Sequence, residues 1–187
     1  MQKGRIRFSI ESLEMINPEA LWAAFFINPA IALMEWYQKN PFPIDVQCEQ
    51  IISALVDRRG EVAIEINWQA ETFPNSQRLF QTVQREVIVE YAAVAVAFLL
   101  VTGITNRTVT EVTLRGDKTD YFLNDREFML EVSGTENARQ VASRHKQKTA
   151  QLLANPYGKS GYVVVCCFSN QTARFSFHTM PERGEER

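Results

Sequence analysis

The chain has 187 residues, 45% of them hydrophobic, enough for one substantial core with a small added subdomain. Its formal net charge of −2 excludes a strongly basic protein, but the average hides an asymmetry. Between Asn137 and Pro181 there is no Asp or Glu, while Arg139, Arg144, Lys146, Lys148, Lys159 and Arg174 give that stretch +6. All 22 acids lie elsewhere and leave the remainder at −8, so the stretch reads either as a face for an anion or as a solvated face that lacks acids.

In chain order, RIRFSIE at 5–11 puts Ile6, Phe8 and Ile10 on one side and charges on the other, a half-buried strand. The apolar, aromatic run ALWAAFFINPAIALMEWYQKN is interrupted at Asn28-Pro29, which predicts two short helices. NPFP at 40–43 reads as a connector, and QCEQIISALVDRRG has helical spacing ending at Gly60. EVAIEINW at 61–68 alternates as a second strand. Residues 1–74 are therefore expected to form an N-terminal α+β extension packed on a core at 75–180, with 181–187 as a disordered tail. Trp22, Phe25, Phe26, Trp36 and Tyr37 make the extension a core or an interface, for a protein partner or a second copy.

Beyond Asn75 the spacing predicts a long helix over about 76–102 and strands at 108–114, 118–123 and 127–133. A second helix follows over 137–153, then a buried strand at 161–168 and an alternating strand, ARFSFH. The apolar run at 87–104 is interrupted by Glu90, and its unbroken part is too short for a bilayer of about 30 Å. It is expected to be a buried core helix, with no membrane contact and no signal peptide at the alternating N-terminus. Cys48, Cys166 and Cys167 include no CxxC pair, which suggests buried thiols in a reducing cytoplasm rather than disulfides or zinc.

The stretch TDYFLNDREFMLEVSG at 119–134 places two acids, Asp120 and Glu131, inside apolar strands. Carboxylates there are costly unless solvated or paired. A two-residue turn at Asp125-Arg126 sets Leu123 against Phe128, Phe122 against Met129 and Tyr121 against Leu130. Asp120 then falls opposite Glu131, on one face and within about 5 Å. Either the acids are solvated at a sheet edge or they share a cation, and two carboxylate oxygens with water and phosphate suit Mg²⁺. The same register puts Lys118 opposite Ser133, where an ammonium would orient a water or steady a phosphate.

The element order over residues 76–168, with Asp120 and then Glu131-Val132-Ser133 on successive strands, resembles the PD-(D/E)XK nuclease superfamily. That resemblance implies an α/β fold with a restriction-endonuclease-like core of helix, three strands, helix and strand. Asp120 and Glu131 match its two motif acids, and Glu90, or Glu86 one turn earlier, matches the glutamate that often joins the metal from the first helix. The motif lysine is replaced by Ser133, so Lys118 is the expected substitute, with Lys146 and Lys148 as alternatives. The resemblance implies Mg²⁺ or Mn²⁺ held by Asp120, Glu131 and Glu90, and catalysis by Asp120, Glu131 and Lys118. Arg139, Arg144, Lys146 and Lys148 would meet the nucleic-acid backbone by charge. The function expected is phosphodiester hydrolysis in nucleic acid. The alternatives are an inactive relative that binds nucleic acid or protein, which Ser133 favours, and a plain interaction subunit.

Overall fold

A computed structural model describes residues 5–18, 21–53, 56–69, 76–113 and 119–180. In chain order the elements are β1 (Ile6–Ser9), α1 (Leu13–Ile16), α2 (Ile27–Trp36), β2 (Phe42–Ser53) and β3 (Val56–Asn67). There follow α3 (Leu79–Thr82), α4 (Arg85–Thr105), β4 (Val109–Val112), β5 (Tyr121–Leu123) and β6 (Phe128–Thr135). Last come α5 (Val141–Leu153), β7 (Gly161–Cys167) and β8 (Thr172–His178). The fold is mixed α/β. Among the described residues, eight strands form one sheet in the order β1-β3-β2-β8-β7-β6-β5-β4. The β1–β3, β2–β8 and β6–β7 pairs are parallel and the remaining pairs antiparallel.

The expected helix at QCEQIISALVDRRG is instead strand: residues 47–53 belong to β2 and residues 56–60 to β3, its antiparallel partner, and residues 54–55 lie outside the described residues. Phe42, Ile44, Val46 and Cys48 alternate into the core, but a bulge at Gln50, with φ of 59°, then resets the register. Ile51 is thereby buried three residues after Cys48, a spacing that imitates a helix. At Asn28-Pro29 the chain does not break. Pro29 lies in the first turn of α2, where its missing N–H has no helical partner to lose. The helix expected over 76–102 is divided, because Val83 and Gln84 are extended between α3 and α4. Asn106, in the left-handed region at φ 56°, ends α4.

Helix α4 is apolar around its circumference because it is covered on two sides. It packs on β6 and β7 and beneath α2. It is long and apolar enough to cross a membrane by length and composition, and most of it is buried within the fold. Leu130, Val132, Val164 and Cys166 face this α4 layer, whereas Met129, Val163 and Val165 face Leu152 of α5. Strand alternation therefore sends Glu131 and Ser133 toward α5. The three cysteines are free and buried.

Where α4 crosses β6 the backbones nearly touch. A Cβ on Gly134 would lie 2.4 Å from the Val89 carbonyl oxygen, an atom the helix cannot withdraw. A Cβ on Gly103 would meet only the Phe8 ring, at 2.2 Å. Gly134→Ala should therefore cost about 2 kcal/mol or more in urea unfolding. Gly103→Ala should cost less, because the ring can swing and alanine contributes about 1 kcal/mol of helix propensity. Equal losses would refute this account of the crossing.

Candidate active site around Asp120, Glu131 and Lys148

The β5–β6 hairpin has the register the apolar residues predict, pairing Tyr121 with Leu130, Phe122 with Met129 and Leu123 with Phe128. Its turn lacks glycine, yet Asn124, Asp125 and Arg126 all take positive φ, at 47°, 52° and 69°. Side-chain bonds hold this conformation. Arg126 grips Glu111 through Nε at 3.0 Å, and Asn124 Oδ1 accepts from the Thr108 N–H at 2.9 Å.

Strand β5 is only three residues long, so β6 runs on past it with an open edge. Two carboxylates close that edge. Asp120 Oδ2 accepts from the Val132 N–H at 2.8 Å, and Glu90 Oε2, reaching over from α4, accepts from the Gly134 N–H at 2.8 Å. Each satisfies a backbone donor that a longer β5 would have paired.

On the α5 side, Lys148 Nζ lies 2.7 Å from Glu131 Oε2 and 3.0 Å from Asp120 Oδ2. One ammonium thus joins the two acids that the hairpin sets side by side. One helical turn earlier, Arg144 Nη1 donates to Ser133 Oγ at 2.9 Å and to Glu90 Oε1 at 3.1 Å. Ser133 also donates to Glu90 Oε1, at 3.3 Å. Residues four apart on a helix share a face, so α5 presents two cations to a row of three acids. The Arg144 guanidinium occupies the space next to Ser133 Oγ.

The electrostatics follow from burial. Glu131 is 1% exposed, and its Oε1 is buried without a hydrogen-bond partner. Burial first, and the Asp120 charge second, push its pKa up to about 8, with Lys148 only partly offsetting them. Burial also works against the Lys148 ammonium, but the two carboxylates outweigh it and raise its pKa. Among the described residues no three His, Cys, Asp or Glu side chains come together as a metal cluster. What converges is two carboxylates on one cation, with Glu90 linked to them through Ser133 and Arg144.

The remaining sequence expectations are distributed as follows. Lys118 lies outside the described residues. The lysine that meets both acids is Lys148, while Lys146 and Arg139 are exposed and Glu86 sits at the helix start, also exposed. Arg144 and Lys148, expected on a nucleic-acid backbone, turn inward to carboxylates, and Arg174 pairs with Glu49. The acid-free stretch therefore does not form one uniformly positive face. His145 is buried, its ring sharing Ser176 Oγ with His178 at 2.7 and 2.8 Å. Burial, then the Arg174 charge, lower its pKa to about 4.

In the sequence Lys148 stands only as an alternative to Lys118, and Glu136 is not foreseen at all. Val141, His145, Lys148 and Leu152 are spaced four, three and four apart, an inward stripe that singles out Lys148 over Lys146. Glu136, just past β6, takes both Arg85 Nε and Nη2 at 2.6 Å and accepts from the Tyr37 hydroxyl at 2.5 Å. Nothing local in the sequence marks it. Beside Glu90 a cleft of about 300 Å³ opens, lined by Arg85, Glu86, Asn137, Gln140 and Arg144 among others, but not by Asp120 or Glu131.

No protein-family model matches the chain, and no curated protein or solved structure matches it.

A carboxyl whose pKa is raised on folding stabilises the fold fully below about pH 4.5, and loses that stabilisation as pH rises through about 8. Glu131→Gln should remove the dependence. Its stability relative to the parent should rise by a few kcal/mol between pH 5 and pH 9, on the order of the shift. Chemical denaturation across that range measures the difference, and parallel pH curves would exclude a raised Glu131.

Proposed function

We propose that this chain is a metal-dependent phosphodiesterase domain acting on nucleic acid, built on a restriction-endonuclease-like core of α4, β4, β5, β6, α5 and β7. One observation carries the reading. Lys148 Nζ bridges Asp120 and Glu131 at 3.0 and 2.7 Å, which places a lysine beside two acids on adjacent strands despite Ser133. Further support comes from the parallel β6–β7 pair joined through α5, and from Glu90 bonded to the end of β6.

The donor set suits a hard divalent cation. Two carboxylate oxygens already converge on a positive charge, and Glu131 Oε1 is buried without a partner. Asp120 and Glu131 would hold Mg²⁺ or Mn²⁺, with Glu90 as the third acid once released from Arg144. When bound, the ion would polarise the phosphate and acidify the attacking water. The protein's own groups divide the remaining work. Lys148 orients the nucleophile and steadies negative charge on the phosphate, and its raised pKa keeps it cationic at neutral pH. The Val132 and Gly134 amides fix the orientation of Asp120 and Glu90. Arg144 lines the cleft and offers a guanidinium to a phosphate oxygen.

Cleavage of labelled single- and double-stranded DNA and RNA, with Mg²⁺ or Mn²⁺ against a chelator, tests this. Asp120→Asn, Glu131→Gln and Lys148→Met should each lower the rate by at least 100-fold. Lys148→Met should lose at least tenfold more than Lys118→Met. A folded parent that cleaves none of these substrates and binds no Mn²⁺ in calorimetry overturns the reading in favour of an inactive binding module.

A further inference from the structure

At the end of α2, Trp36 is 52% exposed, although a ring of its size is normally drawn into a core or an interface. It is held in place all the same. The Arg85 guanidinium carbon lies 4.4 Å from its ring centroid, and Phe80 of α3 leans against it at 5.2 Å. Arg85 is itself fixed by its two bonds to Glu136, and Glu136 by the Tyr37 hydroxyl. The result is a rigid aromatic surface whose cation is anchored from below.

Its position is what matters. Arg85 is also a wall of the cleft beside Glu90 and Arg144. From Arg85 to Glu90 is five residues along α4, about 7.5 Å of helix rise. The charge nearby is mixed: Arg78 and Lys39 are exposed, Glu136 and Arg85 neutralise each other, and Glu86 beside Arg85 is an exposed acid.

We infer that Trp36, braced by Arg85 and Phe80, is a stacking platform for a base of single-stranded nucleic acid whose backbone runs into the cleft lined by Arg85, Glu90 and Arg144. The inference rests on the proposed phosphodiesterase reading and narrows its substrate to single strands or frayed ends. A duplex hides its base faces and a single strand presents them. Stacking needs no particular base, so the platform sets strandedness and register, not sequence.

Tryptophan fluorescence reads the contact directly. Of the three tryptophans, Trp68 is 6% exposed and Trp22 is stacked on Tyr121. The full chain, in chelator so that no cleavage occurs, is titrated with a 12-nucleotide oligo-dT and with a 12-base-pair duplex. Oligo-dT should quench the emission saturably and bind more tightly than the duplex. Trp36→Leu should abolish most of the quench and weaken oligo-dT binding roughly tenfold, and Trp36→Phe should restore most of the affinity. Oligo-dT affinity within twofold of the parent in Trp36→Leu, tighter binding of the duplex, or no binding of oligo-dT overturns the platform. The two readings fail separately. Cleavage with Trp36→Leu binding unchanged removes the platform and leaves the enzyme, whereas Trp36-dependent binding without cleavage in any metal removes the enzyme and leaves the platform.

Discussion

The Lys148 ammonium shared by Asp120 and Glu131 ties α5 to the β5–β6 hairpin, and the polar half of the molecule is organised around it. Two carboxylates set side by side on a sheet face repel, and one of them, Glu131, is almost wholly out of water. Such a pair is tolerated only with a cation between the acids or a proton on one of them. The structure has some of each, an ammonium in contact and a Glu131 pKa lifted to about 8. A buried ion pair is weak evidence for stability, since removing one partner costs about 3–5 kcal/mol chiefly by stranding the other.

The sheet explains why the acids are where they are. Strand β5 stops after three residues, so the edge of β6 is closed by side chains instead of backbone. Asp120 and Glu90 take alternate edge amides from different places, one from the residue just before β5 and one from α4. A backbone defect in the sheet is thereby converted into a row of oriented carboxylates. The close approach of α4 at Gly134 allows Glu90 to reach that edge. On the other face, α5 supplies Arg144 and Lys148 at helical spacing to meet them.

Much of this was legible in the residues. The hairpin register followed from parity, because only a two-residue turn keeps Tyr121, Leu123, Leu130 and Phe128 on one face, and the pairing is as expected. The order of elements after Ser76 was readable from the switch between helical and alternating periods. The errors have specific causes. The bulge at Gln50 shifted alternation by one residue and disguised a strand as a helix. The extended pair Val83-Gln84 divides a segment whose composition is helical throughout. Lys148 was one of three candidate lysines, and its place on the Val141–His145–Leu152 stripe is a periodic signal that distinguishes it from Lys146.

What the sequence by itself determined was local and periodic: which runs are strands, which face of each is apolar, and that Asp120 and Glu131 share a face. Alternation and turn length are properties of neighbouring residues, so they survive in one dimension. Only the tertiary structure decided which cation meets those acids, that Glu90 caps β6, and that Arg85 is clamped by Glu136 and Tyr37. These contacts join residues 17 to 99 positions apart. They depend on how α4 and α5 are docked on opposite faces of one sheet, and docking is set by the packing of whole apolar surfaces rather than by any short run of residues.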